Sequence, residues 1–546
     1  MHRITGVTGM TGMITQNSST KTSNNYKTTV KNSICFKLFF TTIICVLQYG
    51  FSFAQKPDDL QLERIAGTKP RNIIFILSDD HRYDFMGFTG KVPELKTPNL
   101  DRIANEGAHF QNAFVTTALC SPSRASILTG QYAHTHTVVD NQAPAPKSLL
   151  YFPQYLQKAG YQTSFFGKWH MGGGGGEPRP GFNRWVSFAG QGDYYNPKIN
   201  IDGKMVNYKD DAYITDILTD LTLDWLRTRD KSKPFFIYLS HKAVHADFKP
   251  AKRDIGAYKN IQIQYPVSMF STANSKSKKF SKGRQADSTG ITINYKDIPA
   301  WVRAQRYSWH GVDFMYHGQT DFDQFYIDYL ETLNGIDNSV GRVLDFLKEN
   351  DLDKETLVIY MADNGFSFGE HGLIDKRHAY EESMKVPLIA RAPALIKAGT
   401  KIKEMVLNVD IGPTILEMAG VKKPRQMQGI SFLRLLNGQP DPNWRKEVYY
   451  EYYWENAFPQ TPTQYAVRTD QYKFIRSQGV WDIDQLYDIK KDPDEVNNLI
   501  RNPEMQLLAK ELNEKLWSWL DKTGGLYIPL KAIDEKKNDH LYRNTW

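Results

Sequence analysis

Two kinds of residue in this 546-residue chain are suited to chemistry: adjacent oxygen donors and scattered cations. Asp79 and Asp80 are neighbours, and Asp363 is followed by Asn364. Adjacent carboxylates repel unless a cation lies between them. Ligands that are all oxygen favour a hard ion, calcium or magnesium, over zinc. One such pair alone is better explained as a helix cap or a solvated turn; two pairs in matching places argue for a metal. The cations are Arg124, Lys168, His170, His245 and Lys376. Singly, each is more often a surface ion pair or a satisfied core histidine. Arg124 lies four residues after Cys120, so one helical turn sets both on the same face. A metal, a special cysteine and several fixed cations together suit transfer of a tetrahedral oxyanion, whose developing charge needs positive groups.

The elements that must position these residues are legible as short apolar runs. Ile73 to Leu77 is a continuous run of β-formers that stops at Ser78-Asp79-Asp80. Phe235 to Leu239 stops at Ser240-His241, and Leu357 to Met361 stops at Ala362-Asp363-Asn364. Such runs predict central strands buried on both faces, delivering polar groups past their C-terminal ends. Between them the pattern turns helical. Thr97 as N-cap, Pro98 at the first position and Gly107 at the end predict one helix. Apolar residues at helical spacing predict a long amphipathic helix over 323–350. Strands alternating with helices imply an α/β fold with a parallel sheet and its site along one edge. From about residue 443 the chain turns to Tyr-rich β-like runs, then a helical stretch around 505–520, which predicts a small C-terminal subdomain. The polar stretch 250–300, with Lys276, Lys278, Lys279, Lys282 and Arg284, reads as an insertion or surface loop.

Residues 1–54 contain no Asp or Glu, and an apolar run from Leu38 to Phe53 ends in Ser52-Phe53-Ala54. This is the pattern of an export signal, cut before Gln55, and the run is too short and interrupted for a membrane span. Its polar leader is long, with Met10 and Met13 as alternative starts. The residues around Cys45 do not fit a lipid-attachment site. The segment carries five of the 68 basic residues, so the remainder has 63 bases against 60 acids, no nucleic-acid footprint. It also takes Cys35 and Cys45 with it. Cys120 is then alone, and a lone thiol in an oxidising compartment needs a purpose.

The run Cys120-Ser121-Pro122-Ser123-Arg124-Ala125-Ser126-Ile127-Leu128-Thr129-Gly130 resembles the signature of the formylglycine-dependent (type I) sulfatases. The resemblance extends in order through 73–80, Thr97-Pro98-Asn99-Leu100-Asp101, Gly167-Lys168-Trp169-His170, Asp363-Asn364-Gly365 and Leu486-Tyr487-Asp488. It implies an alkaline-phosphatase-like α/β sandwich with a central, mostly parallel sheet. To this it adds a small C-terminal α+β subdomain with an antiparallel sheet. The expected organisation is a signal region 1–54, a catalytic domain 55–442 and a C-terminal subdomain 443–546. The resemblance also implies that a formylglycine-generating enzyme converts Cys120 to formylglycine, whose hydrate attacks sulfur. It makes Asp79, Asp80, Asp363, Asn364 and the modified residue 120 the ligands of one calcium ion. Asp363 would also act as base, with Arg124 and Lys168 steadying the nucleophile. His245 and Lys376 would contact sulfate and help protonate the leaving oxygen, and His170 would help expel sulfate. His241 competes with His245, because Ser240 to His245 lacks the proline that many members carry there.

The runs Arg179-Pro180-Gly181-Phe182 and Gly190 to Tyr195 look like those of carbohydrate sulfatases. A sulfated polysaccharide or its oligosaccharides, algal or glycosaminoglycan, is the implied substrate, with export to the periplasm or beyond. Arg82, Arg377 and His378 flank the strand-end motifs and are candidates to grip a uronate or second sulfate. Surface pairing is the equal alternative for them. The glycines 172–176 lack the Lys-Ser/Thr of a phosphate-binding loop, so a flexible loop beside Lys168 is expected. Two other readings stay open: a phosphonate or phosphodiester hydrolase on the same scaffold, and a non-catalytic glycan binder.

Overall fold

The computed structural model describes residues 60–171, 176–269, 279–281, 284–285, 297–312, 314–315, 321–439, 441–479 and 481–529. The expected signal region, glycines 172–175 and most of the basic stretch, Lys276, Lys278 and Lys282 included, lie outside them. The first strand, β1 (Asn72–Ser78), shows why its sequence is apolar without alternation. Ile73, Phe75 and Leu77 enter one hydrophobic core and Ile74 and Ile76 another, one on each face of the sheet. A strand covered on both faces has no solvent side to keep polar.

Along the chain follow α1 (Pro98–Asn105), β2 (Ala108–Phe114), α2 (Cys120–Thr129), β3 (Gln162–Gly167), β4 (Arg184–Ser187), β5 (Lys198–Ile201) and β6 (Lys204–Asn207). Then come α3 (Ile214–Thr228), β7 (Phe235–Ser240), α4 (Phe322–Glu349), β8 (Thr356–Ala362), β9 (Leu388–Arg391) and β10 (Thr400–Leu407). These strands form one ten-stranded sheet in the order β10-β2-β9-β8-β1-β7-β3-β4-β5-β6. Its centre, β8-β1-β7-β3-β4, is parallel throughout. Register aligns the C-terminal ends: Ser78 pairs with Ala362, Leu77 with Ser240, and Gly167 with Ser240. The residues just past each strand therefore converge on one edge.

The long helix begins one residue earlier than its spacing suggested, with the Asp321 side chain accepting from the Asp323 and Gln324 amides. Thr97 does not cap α1 as expected. Its hydroxyl donates to Asp101, while the first amides of α1, from Asn99 and Leu100, donate to Asp337 of α4. A buried carboxylate from a distant helix does the capping here.

A separate four-stranded antiparallel sheet follows: β11 (Glu447–Tyr452), β12 (Thr463–Thr469), β13 (Tyr472–Gln478) and β14 (Gln485–Asp488). Helix α5 (Gln506–Thr523) lies on it through Leu512, Leu516, Trp519 and Leu520, which pack with Val467, Phe474 and Leu486. Among the described residues no helix is long and apolar enough to cross a membrane.

Candidate active site

Cys120 is the first residue of α2, a helix whose ten residues are all buried. That helix is held by polar contacts as well as packing. The Ser121 amide donates to Asn141, and Ser123 accepts from Asn408. The Cys120 thiol lies 3.5 Å from Asp79 Oδ1, so α2 and β1 bring nucleophile position and carboxylate together. One turn on, Arg124 reaches the same place. Its Nε and a terminal nitrogen are each 2.8 Å from Asp363 Oδ2. Its other terminal nitrogen donates to the Lys168 carbonyl and to Ser240 Oγ, both at 2.7 Å.

Asp79, Asp80 and Asp363 each place a carboxylate oxygen within 4.8 Å of the others, and all three are fully buried. Asp80 has φ of 59°, a left-handed turn that lets two consecutive carboxylates face one well. Asn364 donates from its amide to Asp80 at 2.7 Å, while its buried Oδ1 has no partner among the described residues. Lys376 donates to both oxygens of Asp80 at 2.7 Å, and Lys168 pairs with Asp79. Lys168 is delivered by close strand contact at Gly167. There a Cβ would lie 1.7 Å from the Ser240 carbonyl, so only glycine fits.

The electrostatics of the well are uneven. Burial works against the Asp79 anion, yet Lys168 and then Arg124 outweigh it and hold its pKa well below the ordinary range. Asp80 is pushed up to about 7 by burial, with Asp79 and Asp363 adding to the rise against Lys376. Asp363 is raised by burial and then by Asp79. All three carboxylates meet a cation of the protein, yet only Asp79 is held down. Two raised carboxyls beside an orphaned amide oxygen fit a hard cation, and an all-oxygen set is the chemistry of calcium or magnesium.

His245 brings a ring nitrogen within 4.8 Å of Asp79 and Cys120 ligand atoms, whereas His241 turns away to Ser339 of α4 at 3.0 Å. His245 and His170 are both held well below the ordinary imidazole range, by burial first and then by Lys168. Lys376 stays firmly protonated: burial opposes its charge, but Asp80 and the residue-120 position more than offset that. Burial and then Asp79 raise the Cys120 thiol far above its ordinary value, so the unmodified thiol is a poor nucleophile.

The three residues expected to grip a second anionic group are committed elsewhere. Arg82, 3% exposed, gives its donors to Asp84 at 2.9 and 3.0 Å and to Glu370. Arg377 pairs with Asp375 and with Glu455 at 2.9 Å, and its guanidinium lies 3.6 Å from the Phe458 ring centre. His378 is buried against Tyr380 with Nε2 3.1 Å from Ser367 Oγ. Acids near in sequence, Asp84 and Asp375, and distant ones, Glu370 and Glu455, close the two arginines, while His378 meets a hydroxyl. Two contributors went unread. Ser240 backs Arg124, and Lys242 lies between the two histidines, just past the end of β7, the position that marked the other site residues.

This fold and this well define a sulfuric ester hydrolase. The chain belongs to the sulfatase family: residues 71–421 match the family model described as Sulfatase, and 369–522 match N-sulphoglucosamine sulphohydrolase, C-terminal. It is 36% identical to an N-acetylglucosamine-6-O-sulfatase of Bacteroides thetaiotaomicron, over 82% of this chain and 86% of that one. It is 30% identical to the Homo sapiens N-acetylglucosamine-6-sulfatase, over 82% and 84% respectively. It also resembles a solved structure in complex with its substrate, D-glucosamine-2-N,6-O-disulfate. There the TM-score is 0.71 at 33% identity, covering 84% of this chain and 99% of the other.

Proposed function

We propose that this enzyme hydrolyses the 6-O-sulfate ester of glucosamine units in sulfated glycans. In this reading it is an exported protein with residues 1–54 as signal, 55–442 as catalytic domain and 443–546 as C-terminal subdomain. The observation that carries the chemistry is the meeting of Cys120 with three buried carboxylates and three cations in one well. The sugar rests on the relatives, two of which are N-acetylglucosamine-6-sulfatases.

Asp79, Asp80, Asp363 and Asn364 would hold one calcium ion, which neutralises their charge and polarises the sulfate. Formylglycine at position 120 would supply a hydrated aldehyde as nucleophile. Around them the protein's own groups divide the work. Arg124 clamps the floor, tying Asp363 to the carbonyl of Lys168. Lys376, firmly protonated, donates to the departing sugar oxygen. His245 is neutral because of burial first and then Lys168 and Lys376; a sulfate beside these ammoniums would offset them and favour the protonated imidazole. Neutral His170, whose Nδ1 has no partner among the described residues, is suited to accept a proton in the step that releases sulfate.

The test is sulfate release by protein co-produced with a formylglycine-generating enzyme, with conversion checked by the intact mass of the residue-120 peptide. N-acetylglucosamine-6-sulfate and glycosaminoglycan oligosaccharides should be desulfated, with ulvan and carrageenan oligosaccharides as comparisons. No sulfate from any glucosamine 6-sulfate despite full conversion would remove the sugar assignment. A faster rate on an aryl phosphodiester than on an aryl sulfate would replace sulfate as the reacting group.

A further inference from the structure

The turn after β7 carries a cation that the well does not use. Lys242 is 5% exposed, between buried His241 and His245. Its Nζ lies 4.6 Å from the centre of the Tyr194 ring and has no hydrogen bond or ion pair among the described residues. In this it differs from Lys168 and Lys376, each bound to a carboxylate of the well. It differs equally from Arg82 and Arg377, each closed by two acids. The stem is buried, but the ammonium is tied to no acid among the described residues and is free to meet a ligand.

Its place says which ligand. The Tyr194 hydroxyl donates to the His245 carbonyl at 2.7 Å, so the loop carrying Tyr194 is tied directly to the histidine. Burial and then Lys168 work against the Lys242 charge, while Asp79 and Asp80 of the well and Asp193 of this loop favour it. Through Tyr194 it lies beside both the 190–195 loop and the His245 backbone, and it is not among the residues gathered as calcium-type ligands. A cation over an aromatic face, with an open acceptor position, suits a fixed anion on the sugar beside the scissile sulfate.

Resting on the proposed reaction, the geometry points to Lys242 as a specificity-determining residue that holds a second anionic substituent, sulfate or carboxylate, next to the sulfate being removed. The group transferred contacts Lys376 and His245; Lys242 reads its neighbour.

The experiment compares wild type, Lys242→Gln and Lys242→Arg on glucosamine-2-N,6-O-disulfate, N-acetylglucosamine-6-sulfate and an aryl sulfate. Lys242→Gln should lower kcat/KM for the disulfate by about 10- to 100-fold, mainly through KM, because a charge-assisted bond is lost. The other two substrates should change by less than about threefold, and Lys242→Arg should restore much of the loss. An equal fall on all three substrates would place Lys242 on the transferred sulfate, and no fall on the disulfate would leave it without a role; either overturns the inference. If the wild type desulfates none of them, the proposed reaction fails. Lys242 is then judged by calorimetric binding of the disulfate to Cys120→Ala with and without Lys242→Gln. Weaker binding in the double variant supports the inference, and equal or absent binding rejects it.

Discussion

Two buried charge clusters each draw members from the loop between β8 and β9, and they differ in one respect. The cluster at the strand ends is unfinished from within. Asp80 is pushed up to about 7 by burial and its neighbours, and Asn364 keeps an unpartnered oxygen. The cluster under the C-terminal sheet is built around a cation instead, although among the described residues Glu382 there also keeps an unpartnered oxygen. Lys473, fully buried, meets three acceptors, which is all an ammonium can serve: the Ala379 carbonyl at 2.9 Å, Glu381 at 2.9 Å and Glu495 at 2.8 Å. Burial works against the Glu381 anion, but Lys473 and Arg468 outweigh it and hold its pKa well below the ordinary range. Glu382 beside it is pushed well up, by burial first and then by Glu370 and Glu495, and stays a neutral acid. Burial alone therefore does not mark a site. What distinguishes the strand-end cluster is that its acids gather around the residue-120 position with Arg124 and two lysines.

Substituting across the two clusters should separate activity from stability. Asp80→Asn is expected to lower kcat/KM by about 10³-fold or more, since the lost charge underlies several kcal/mol of transition-state stabilisation. Its melting temperature without divalent cations should fall less than that of Lys473→Met, because the raised carboxyl costs stability when ionised and so offsets the loss of its bonds to Lys376. Lys473→Met should do the reverse. Removing one partner of a buried ion pair costs about 3–5 kcal/mol, read by urea denaturation, with kcat/KM little changed where the variant is folded. A large activity loss in Lys473→Met at full stability would break the distinction.

The sequence made one cluster legible and hid the other for a physical reason. Strand-end acids announce themselves, because a doubly buried strand must be apolar to its last residue and Asp79 or Asp363 then interrupts it. The helical spacing of Cys120 and Arg124 and the long period of α4 are likewise local. Lys473, by contrast, sits in an ordinary β run, and its partners Glu381 and Glu495 come from other elements. The same blindness explains α1, capped by Asp337 rather than Thr97, and half of the closure of Arg82, shared between nearby Asp84 and Glu370 288 residues away. Pairings across the fold decide which charges are spent, and no local pattern records them.

A smaller effect sharpens the comparison from the ligand side. Calcium at 100 times its dissociation constant should stabilise the wild type by about 2.7 kcal/mol, because only the folded chain assembles the carboxylates. Asp80→Asn should lose most of that gain, while Lys473→Met keeps it on top of its lower baseline. The measurement is the denaturation midpoint with chelator and with added calcium. A calcium response that survives Asp80→Asn would place the ion elsewhere.

The smallest effect concerns Glu495, which like Glu382 is raised within the second cluster. Glu495 is pushed up from its ordinary 4.5 to about 7 by burial first, with Glu381 adding and Lys473 opposing. Between those values the unfolded chain has released the proton that the folded protein keeps. Folding takes up a proton there, so this contribution to stability is fully present below about pH 4.5 and is lost as pH rises through about 7. Glu495→Gln removes the titrating group. Relative to the wild type it should gain about 1.4 kcal/mol for each pH unit over most of that interval, so denaturation at pH 6 and pH 7 suffices. A gap that stays constant between the two would mean that Glu495 is already ionised beside Lys473, and that the cluster under the C-terminal sheet has no unmatched charge on this residue.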